Sequence, residues 1–467
     1  MVQKLSRPSP DFLKGLKSIL QGDHPSLKQL EQDINIFYMN QRQSQSMLEE
    51  RKLYVALVRK YLKSEGVTKQ LASQGIKLRG LSVFGSFPTH CASKDSDLDL
   101  CVCATATGNK KQLPVIILQA IFRDMMYSKE GQNIFGENVV SGISFVQTAK
   151  VPIIRFKIND VPVDLSATFD DNPRTSLAAK YINAYCQLDD RFKILVMFLK
   201  KWMKSEGRAE DHLRIYPNSY SIILLLIHVL QWYDILPNLH QTHSDLFHRG
   251  NFKLSDLAEL RHEFKFPLDE NTISMHRKRP SNDLTVVQLL YLFACQYSNH
   301  VVLLNYRFNM RNGEIEALSQ KDQDYQITIL DAYDVRNPGR SARNALDLVK
   351  TLEALKSLLV QPHEGMFKTV MEITRNRTYE RVVPPPQVLY QDYDMQFGAD
   401  PYNMPLVGSV EYQQWLEQVA MHHQIQMMQG QMMQQQIVFT APEMYYYSQQ
   451  QQQPHPIFGI QQSSQFF

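Results

Sequence analysis

The spacing of apolar residues changes along the chain, and each change marks an element. Residues 1–45 carry short helical patterns, with Phe12, Leu16, Ile19 and Leu20 on one face. From 46 to 73, Met47, Leu48, Tyr54, Val55, Val58 and Tyr61 recur near helical spacing and predict a longer amphipathic helix. The texture then turns to strands. Leu81, Val83 and Phe84 run into Gly85-Ser86, and Leu98, Leu100 and Val102 alternate around Asp97, Asp99 and Cys101. Val151–Ile158 and Val161–Leu165 predict two more strands, joined at Asn159-Asp160, which is turn chemistry. Helical periodicity returns from about Leu177 to Leu236. The pattern beyond is mixed until a late helix, expected over Ala342–Leu359.

Pro384-Pro385-Pro386 forms the sharpest boundary. The segment after it is rich in Gln, Met and Tyr, and polar Gln tracts gain too little burial to offset the entropy of ordering. A disordered tail is therefore expected over 384–467, either dispensable or a self-associating or partner-binding segment of the kind found in RNA granules. Cutting the chain there changes the charge picture. The whole carries +3, but the tail holds six acids and no Lys or Arg, which leaves the body with 50 basic against 41 acidic residues. That surplus permits a polyanionic partner without establishing one.

Composition adds exclusions. With 43% apolar and 21% charged residues, the chain has the profile of a globular protein. The apolar stretch Ile222–Leu230 is far shorter than the roughly 18 residues that span a bilayer, so no membrane partner is expected. Lysines spread through the N-terminus argue against secretion. Five scattered cysteines suggest reduced, packed thiols and a cytoplasmic compartment, with RNA granules or a nuclear fraction as further destinations.

The chemistry concentrates in Val83–Val102. Asp97 and Asp99 lie two apart on a predicted strand, so both carboxylates project from the same face. Like charges so close raise each other's pKa unless a cation lies between them. Two-metal phosphoryl-transfer sites have that arrangement, with Mg²⁺ ions ~3.5–4 Å apart held by a few carboxylates. Asp164, on the predicted hairpin, is placed to supply a third. Gly85-Ser86, after a strand, would let backbone N–H groups and a hydroxyl approach a triphosphate. Taken singly, a D-x-D pair is most often a solvated strand face, and Gly-Ser an ordinary turn. Asp95 is read as a solvated loop acid.

These residues resemble the DNA polymerase β-type nucleotidyltransferase superfamily and, within it, the noncanonical RNA-tailing branch of cytoplasmic poly(A) polymerases and terminal uridylyltransferases. Gly85-Ser86 and Ser96-Asp97-Leu98-Asp99 keep that family's spacing, and Asp164 matches its third aspartate. The likeness covers roughly residues 45–375. It implies that Lys200 and Lys204, four apart on a helix, hold the triphosphate. It implies too that Ser219 touches phosphate while Tyr220 stacks on the incoming base. Leu284–Ser298 resembles the helix of the poly(A)-polymerase-associated module, and Asp331–Arg340, with Asp331 and Arg336, its nucleotide-recognition loop.

What the resemblance implies is an α+β, bilobal molecule. An N-terminal helical extension (1–45) precedes a mixed-sheet nucleotidyltransferase catalytic domain (46–190). A helical central and poly(A)-polymerase-associated domain (191–375) packs on it, and the tail follows. The implied activity is template-independent addition of AMP or UMP to an RNA 3′ end. Asp97, Asp99 and Asp164 would hold Mg²⁺ or Mn²⁺, and Asp164 would help deprotonate the 3′-hydroxyl. Three places depart from the family pattern. A sugar-contacting Asn falls at Ala178, with Asn183 out of register; Phe87, Pro88 and His90 replace smaller loop residues; and Arg336, not His, precedes Asn337. A loop without that His resembles the adenylyl-adding members, which tilts the choice to ATP over UTP. The Ala178 departure keeps an inactive scaffold as the alternative. No RNA-recognition sheet or zinc-finger signature is apparent, and the run His276-Arg277-Lys278-Arg279 is the one basic cluster noted. A separate RNA-binding protein is therefore expected to select targets.

Overall fold

The computed structural model describes residues 4–8, 12–13, 16, 20, 24–106, 113–147, 151–168, 174–203, 216–247, 268–277, 283–322 and 325–373. They belong to one compact unit, residues 1–379. Lys204, most of the basic run after His276 and the segment beyond Pro384 lie outside the described residues.

The N-terminal region is more regular than its sequence suggests. It forms a 17-residue helix, α1 (Pro25–Gln41). The single helix expected over 46–73 is two, α2 (Gln45–Leu62) and α3 (Glu65–Ala72). The break has a local cause: Ser64 takes an extended backbone (φ −62°, ψ 154°) at an N-cap position, so the chain restarts instead of continuing. Ser44 caps α2 by accepting from the Met47 N–H.

The sheet that follows has strand order β1-β2-β5-β4-β3. Its strands are β1 (Ile76–Phe84), β2 (Leu98–Ala106), β3 (Val140–Val146), β4 (Ile153–Ile158) and β5 (Val161–Thr168). β2 and β5 pair in parallel and the other neighbours antiparallel. Both strands of the predicted hairpin are present as β4 and β5. Asn159 turns the chain between them with φ 51°, a left-handed conformation that Asn tolerates. β3 was not legible in the sequence pattern, because its seven residues are partly or fully exposed and include no buried run. Helix α4 (Leu113–Tyr127) covers the buried side of the sheet.

Two hydrophobic cores result. One is built from the sheet, α2, α3 and α4, around residues such as Leu100, Val102, Ile121 and Phe156. The larger one gathers α5 (Arg174–Leu188), α6 (Asp190–Met203), α7 (Ser219–Trp232), α8 (Val286–Ser298), α9 (Ala345–Val360) and α10 (Met366–Ile373). A small sheet, β6 (Tyr306–Asn309), β7 (Glu314–Ala317) and β8 (Thr328–Leu330) in the order β7-β6-β8, joins it. Leu27, Leu30 and Ile34 of α1 belong to this helical core, while Tyr54, Val55 and Val58 of α2 belong to the sheet core. The chain therefore crosses between lobes at the corner between α1 and α2. No described helix is long and apolar enough to cross a membrane.

Trp202, fully buried near the end of α6, donates its indole N–H to the Val370 carbonyl of α10 at 2.7 Å. This anchors the helix that carries Lys200. Trp202→Ala is expected to cost about 3–5 kcal/mol in urea denaturation, and a loss under about 1 kcal/mol would show that the α6–α10 contact is not part of the folded core.

Candidate active site

The geometry of the site begins with strand register. Leu98, Leu100 and Val102 of β2 are completely buried, which turns Asp99 to the opposite face; Asp97 sits just before the strand, on the same parity, and is exposed. Parallel pairing then sets Asp99 directly beside Asp164 of β5. Antiparallel pairing sets Asp164 beside Arg155 of β4, and on the other side Asp99 lies opposite Phe84. One row across the sheet therefore reads Phe84, Asp99, Asp164, Arg155, Ser144.

Gly85, immediately after β1, has φ +72°, and a Cβ there would stand 1.9 Å from an Asp99 carboxylate oxygen. Any side chain would be both strained and in collision with the carboxylate, so glycine makes room for Asp99. Ser86 follows, partly exposed, and opens a short 3₁₀ turn, Phe87–Thr89. The Ser86 carbonyl accepts from the Thr89 hydroxyl at 2.7 Å. Phe87 and Pro88, the unexpected loop residues, are buried, and the Pro88 carbonyl accepts from the Asn183 amide at 2.7 Å. Asn183 is thus committed to bracing the loop against α5, and Ala178 is buried on the same helix. Cys91 continues this contact, its sulfur 3.0 Å from that of Cys186.

Electrostatics follow from this crowding. Burial, with Asp97 and Asp164 nearby, pushes the Asp99 carboxyl up to about 7, while Lys200 acts in the opposite sense. Lys200 extends from α6 to donate to the Cys91 carbonyl at 3.3 Å, which brings it to the carboxylate end of the sheet. Asp164 is held by Arg155 through two parallel hydrogen bonds, 2.9 and 3.0 Å, with the guanidinium largely exposed. Among the described residues no three His, Cys, Asp or Glu side chains are grouped closely enough to hold a metal ion as they stand. The donor set nonetheless fits a hard divalent cation. It offers carboxylate oxygens only, one of them kept from ionising freely by its neighbours, in a space that the missing Cβ of Gly85 keeps open.

The helical lobe supplies the remaining predicted residues. Ser219, exposed, is the first residue of α7, whose N-cap Asn218 accepts from the Ser221 N–H. Tyr220 donates its hydroxyl to Asp331 at 2.9 Å. Asp331, raised by burial, also accepts from the Tyr333 and Asp334 N–H groups. Arg336 does not stand free. Its guanidinium bonds Asp334 at 2.7 and 3.0 Å, and Arg174 of α5 takes the other oxygen of that carboxylate at 2.9 Å. Asn337 is wholly structural, bonding the backbone of Ile327, Ile329 and Gly339. His276 of the basic run is buried.

Two arginines were missed. Arg155 was within reach of the sequence, because a two-residue turn at Asn159-Asp160 fixes the hairpin register and puts residue 155 opposite 164. Arg51, buried beneath the loop before Asp97, gave no such signal; its contacts lie 43 and 45 residues away.

A raised carboxyl has a stability consequence. Asp99 contributes stability fully below its unfolded value near 4, and loses it as pH rises through about 7. In EDTA, Asp99→Asn is therefore expected to melt higher than wild type at pH 8, with the difference vanishing towards pH 4. Parallel melting curves across that range would contradict the crowding of the three carboxylates.

A family model described as the central palm domain of mitochondrial-like poly(A) RNA polymerase matches residues 30–187. The Caenorhabditis elegans poly(A) RNA polymerase gld-2 is 31% identical over 179 residues, covering 36% of this chain and 15% of that protein. Alignments to the curated relatives span between 14% and 51% of their own lengths. Two solved structures share the fold. The GLD-2/RNP-8 complex matches at TM-score 0.55 and 23% identity, covering 74% of this chain and 98% of that one. The Cid1 poly(U) polymerase with MgGTP bound matches at TM-score 0.52 and 17% identity, with the same coverage. Over residues 30–187 the chain is therefore similar to the palm domain of poly(A) RNA polymerases, and its fold is the one seen in the GLD-2 and Cid1 structures.

Proposed function

We propose that the chain is a template-independent RNA 3′-terminal nucleotidyltransferase that adds AMP, and less readily UMP. The observation that carries this reading is the pairing of Asp99 with Asp164 on parallel strands, beside Gly85, where a Cβ would collide with the Asp99 carboxylate.

Asp97, Asp99 and Asp164 are the residues that would hold Mg²⁺ or Mn²⁺. When bound, the divalent cation neutralises phosphate charge and acidifies the 3′-hydroxyl. The chain's own groups do the rest. Lys200 draws the triphosphate towards the carboxylate row, joined by Lys204 as the resemblance implies. Ser219 and the first amides of α7 meet phosphate oxygens. Tyr220 offers its ring to the base while its hydroxyl is fixed on Asp331, so the stacking surface is set before nucleotide arrives. Stacking of this kind is worth about 1–3 kcal/mol per base and does not choose among bases. Choice falls to the loop around Arg336, where the His of uridylyl-adding members is absent; Arg336, held on Asp334, offers donors that could meet uracil O4 as well as adenine N1 or N7. Asp164 accepts the 3′-hydroxyl proton, a role in which Arg155 competes for the same oxygens.

The palm-type fold has a neighbour solved with RNP-8 bound. By analogy, a partner protein supplies target choice here, in keeping with a sequence in which no RNA-recognition signature is apparent. The body alone is then expected to bind RNA weakly and with marked salt dependence.

The test incubates purified protein with a labelled oligo-RNA, Mg²⁺ and each NTP separately. A ladder is expected with ATP, a shorter one with UTP, and a loss of at least about 10³-fold in the Asp97→Ala/Asp99→Ala double variant. Equal products from wild type and double variant, or none from either with Mg²⁺ or Mn²⁺, would overturn the reading in favour of a catalytically silent scaffold.

A further inference from the structure

The loop that delivers Asp97 to the sheet is gripped by the corner where the chain crosses between lobes. The Lys94 N–H donates to the Gln41 carbonyl at 2.8 Å, and Gln43 donates to the Ser93 carbonyl at 3.0 Å. Arg42 and Ser93 form an isolated antiparallel bridge. Arg51, two turns into α2, completes the grip. Its Nη2 donates to the Lys94 carbonyl at 3.1 Å and to the Ser96 carbonyl at 2.7 Å, the latter on the residue directly before Asp97.

Arg51 is an unusual residue for a purely structural task. It is 1% exposed, and its Nε and Nη1 are buried without a hydrogen-bond partner. A buried guanidinium costs several kcal/mol in desolvation unless charge compensates it nearby. The acids whose charge reaches it are Glu50, Asp97 and Asp95. The packing of α2 does not require it, because Tyr54, Val55, Val58, Tyr61 and Leu62 already seat that helix in the sheet core. What the guanidinium adds is a single nitrogen, Nη2, carried far enough from the helix to bridge two loop carbonyls, a reach that the shorter lysine side chain does not match.

We infer that Arg51 is a positioning residue for the divalent-cation site: it fixes the Lys94–Ser96 backbone and so the point from which Asp97 reaches the cation. The inference rests on reading Asp97 and Asp99 as that site. It makes the α1–α2 corner the mechanical support of the acidic loop, and ties the relative placement of the two lobes to the geometry of the first carboxylate. Arg51 touches neither nucleotide nor reacting atoms in this scheme; it acts through Asp97.

The test titrates Mn²⁺ into the full-length protein with the non-hydrolysable analogue α,β-methylene-ATP, reading free Mn²⁺ by its paramagnetic resonance signal. Arg51→Met is expected to weaken Mn²⁺ binding by about 10-fold or more, the usual effect of removing an outer support of a metal ligand. Val58→Ala, from the same helix and buried in the same core, is expected to lower the melting temperature while keeping wild-type Mn²⁺ affinity. If Arg51→Met does not fold, Arg51→Lys carries the test, with an expected loss of about threefold or more because charge is retained but the shorter side chain falls short of the point where Nη2 meets both carbonyls. Wild-type Mn²⁺ affinity in the folded Arg51 variant would overturn the inference, as would an equal loss in Val58→Ala. Indistinguishable Mn²⁺ binding by wild type and by Asp97→Ala/Asp99→Ala would be a different failure, that of the cation-site reading itself.

Discussion

Parallel pairing between β2 and β5 is the constraint on which the site depends. It sets Asp99 and Asp164 side by side on the same face of the sheet, while Leu98, Leu100 and Val102 fix which face that is by being buried on the other. A slip of one residue in β2 would turn Asp99 into the core and Leu98 out to solvent, so the hydrophobic alternation enforces the position of the charge. The cost of the arrangement is burial of a carboxyl beside two others, visible in the raised Asp99 and opposed there by Lys200, while Arg155 pairs with Asp164. A site built this way is predisposed to a cation, because neutralising the cluster releases the repulsion among its carboxylates.

The helical lobe meets the sheet through contacts that converge on the same few loops. Asn183 and Cys186 hold the Gly85–Cys91 loop from α5, and Lys200 reaches the Cys91 carbonyl from α6. On the far side, Asp331 holds Tyr220, while Asp334 is clamped between Arg174 and Arg336. The residues of the helical lobe proposed to meet nucleotide are therefore held by hydrogen bonds that exist without ligand. Such preorganisation lowers the ordering cost of binding.

Much of this was legible in the sequence where it depended on local pattern. The alternation around Asp97 and Asp99, the Asn159-Asp160 turn and the strand containing Asp164 could all be read from spacing and turn chemistry. The same turn also implied Arg155 opposite Asp164, a consequence that follows from hairpin register alone. Other features were hidden for physical reasons. β6, β7 and β8 are three or four residues long, too short for periodicity to declare itself. The interruption between α2 and α3 is made by one N-cap serine inside a run that otherwise keeps helical spacing. Arg51 and Asn183 act through contacts to loops far away in sequence, which no window of neighbours reveals. Asn183, out of register for the nucleotide sugar, donates instead to a loop carbonyl.

If the carboxylate row holds a cation, its third member must be shared with an arginine. Anomalous diffraction from crystals of the protein grown with Mn²⁺ and a non-hydrolysable ATP analogue would show this. Mn²⁺ is expected between Asp97 and Asp99, with Asp164 as a further ligand and Arg155 released from it. Mn²⁺ bound elsewhere with the Arg155–Asp164 pair intact, or nucleotide bound with no metal at these aspartates, would contradict that assignment.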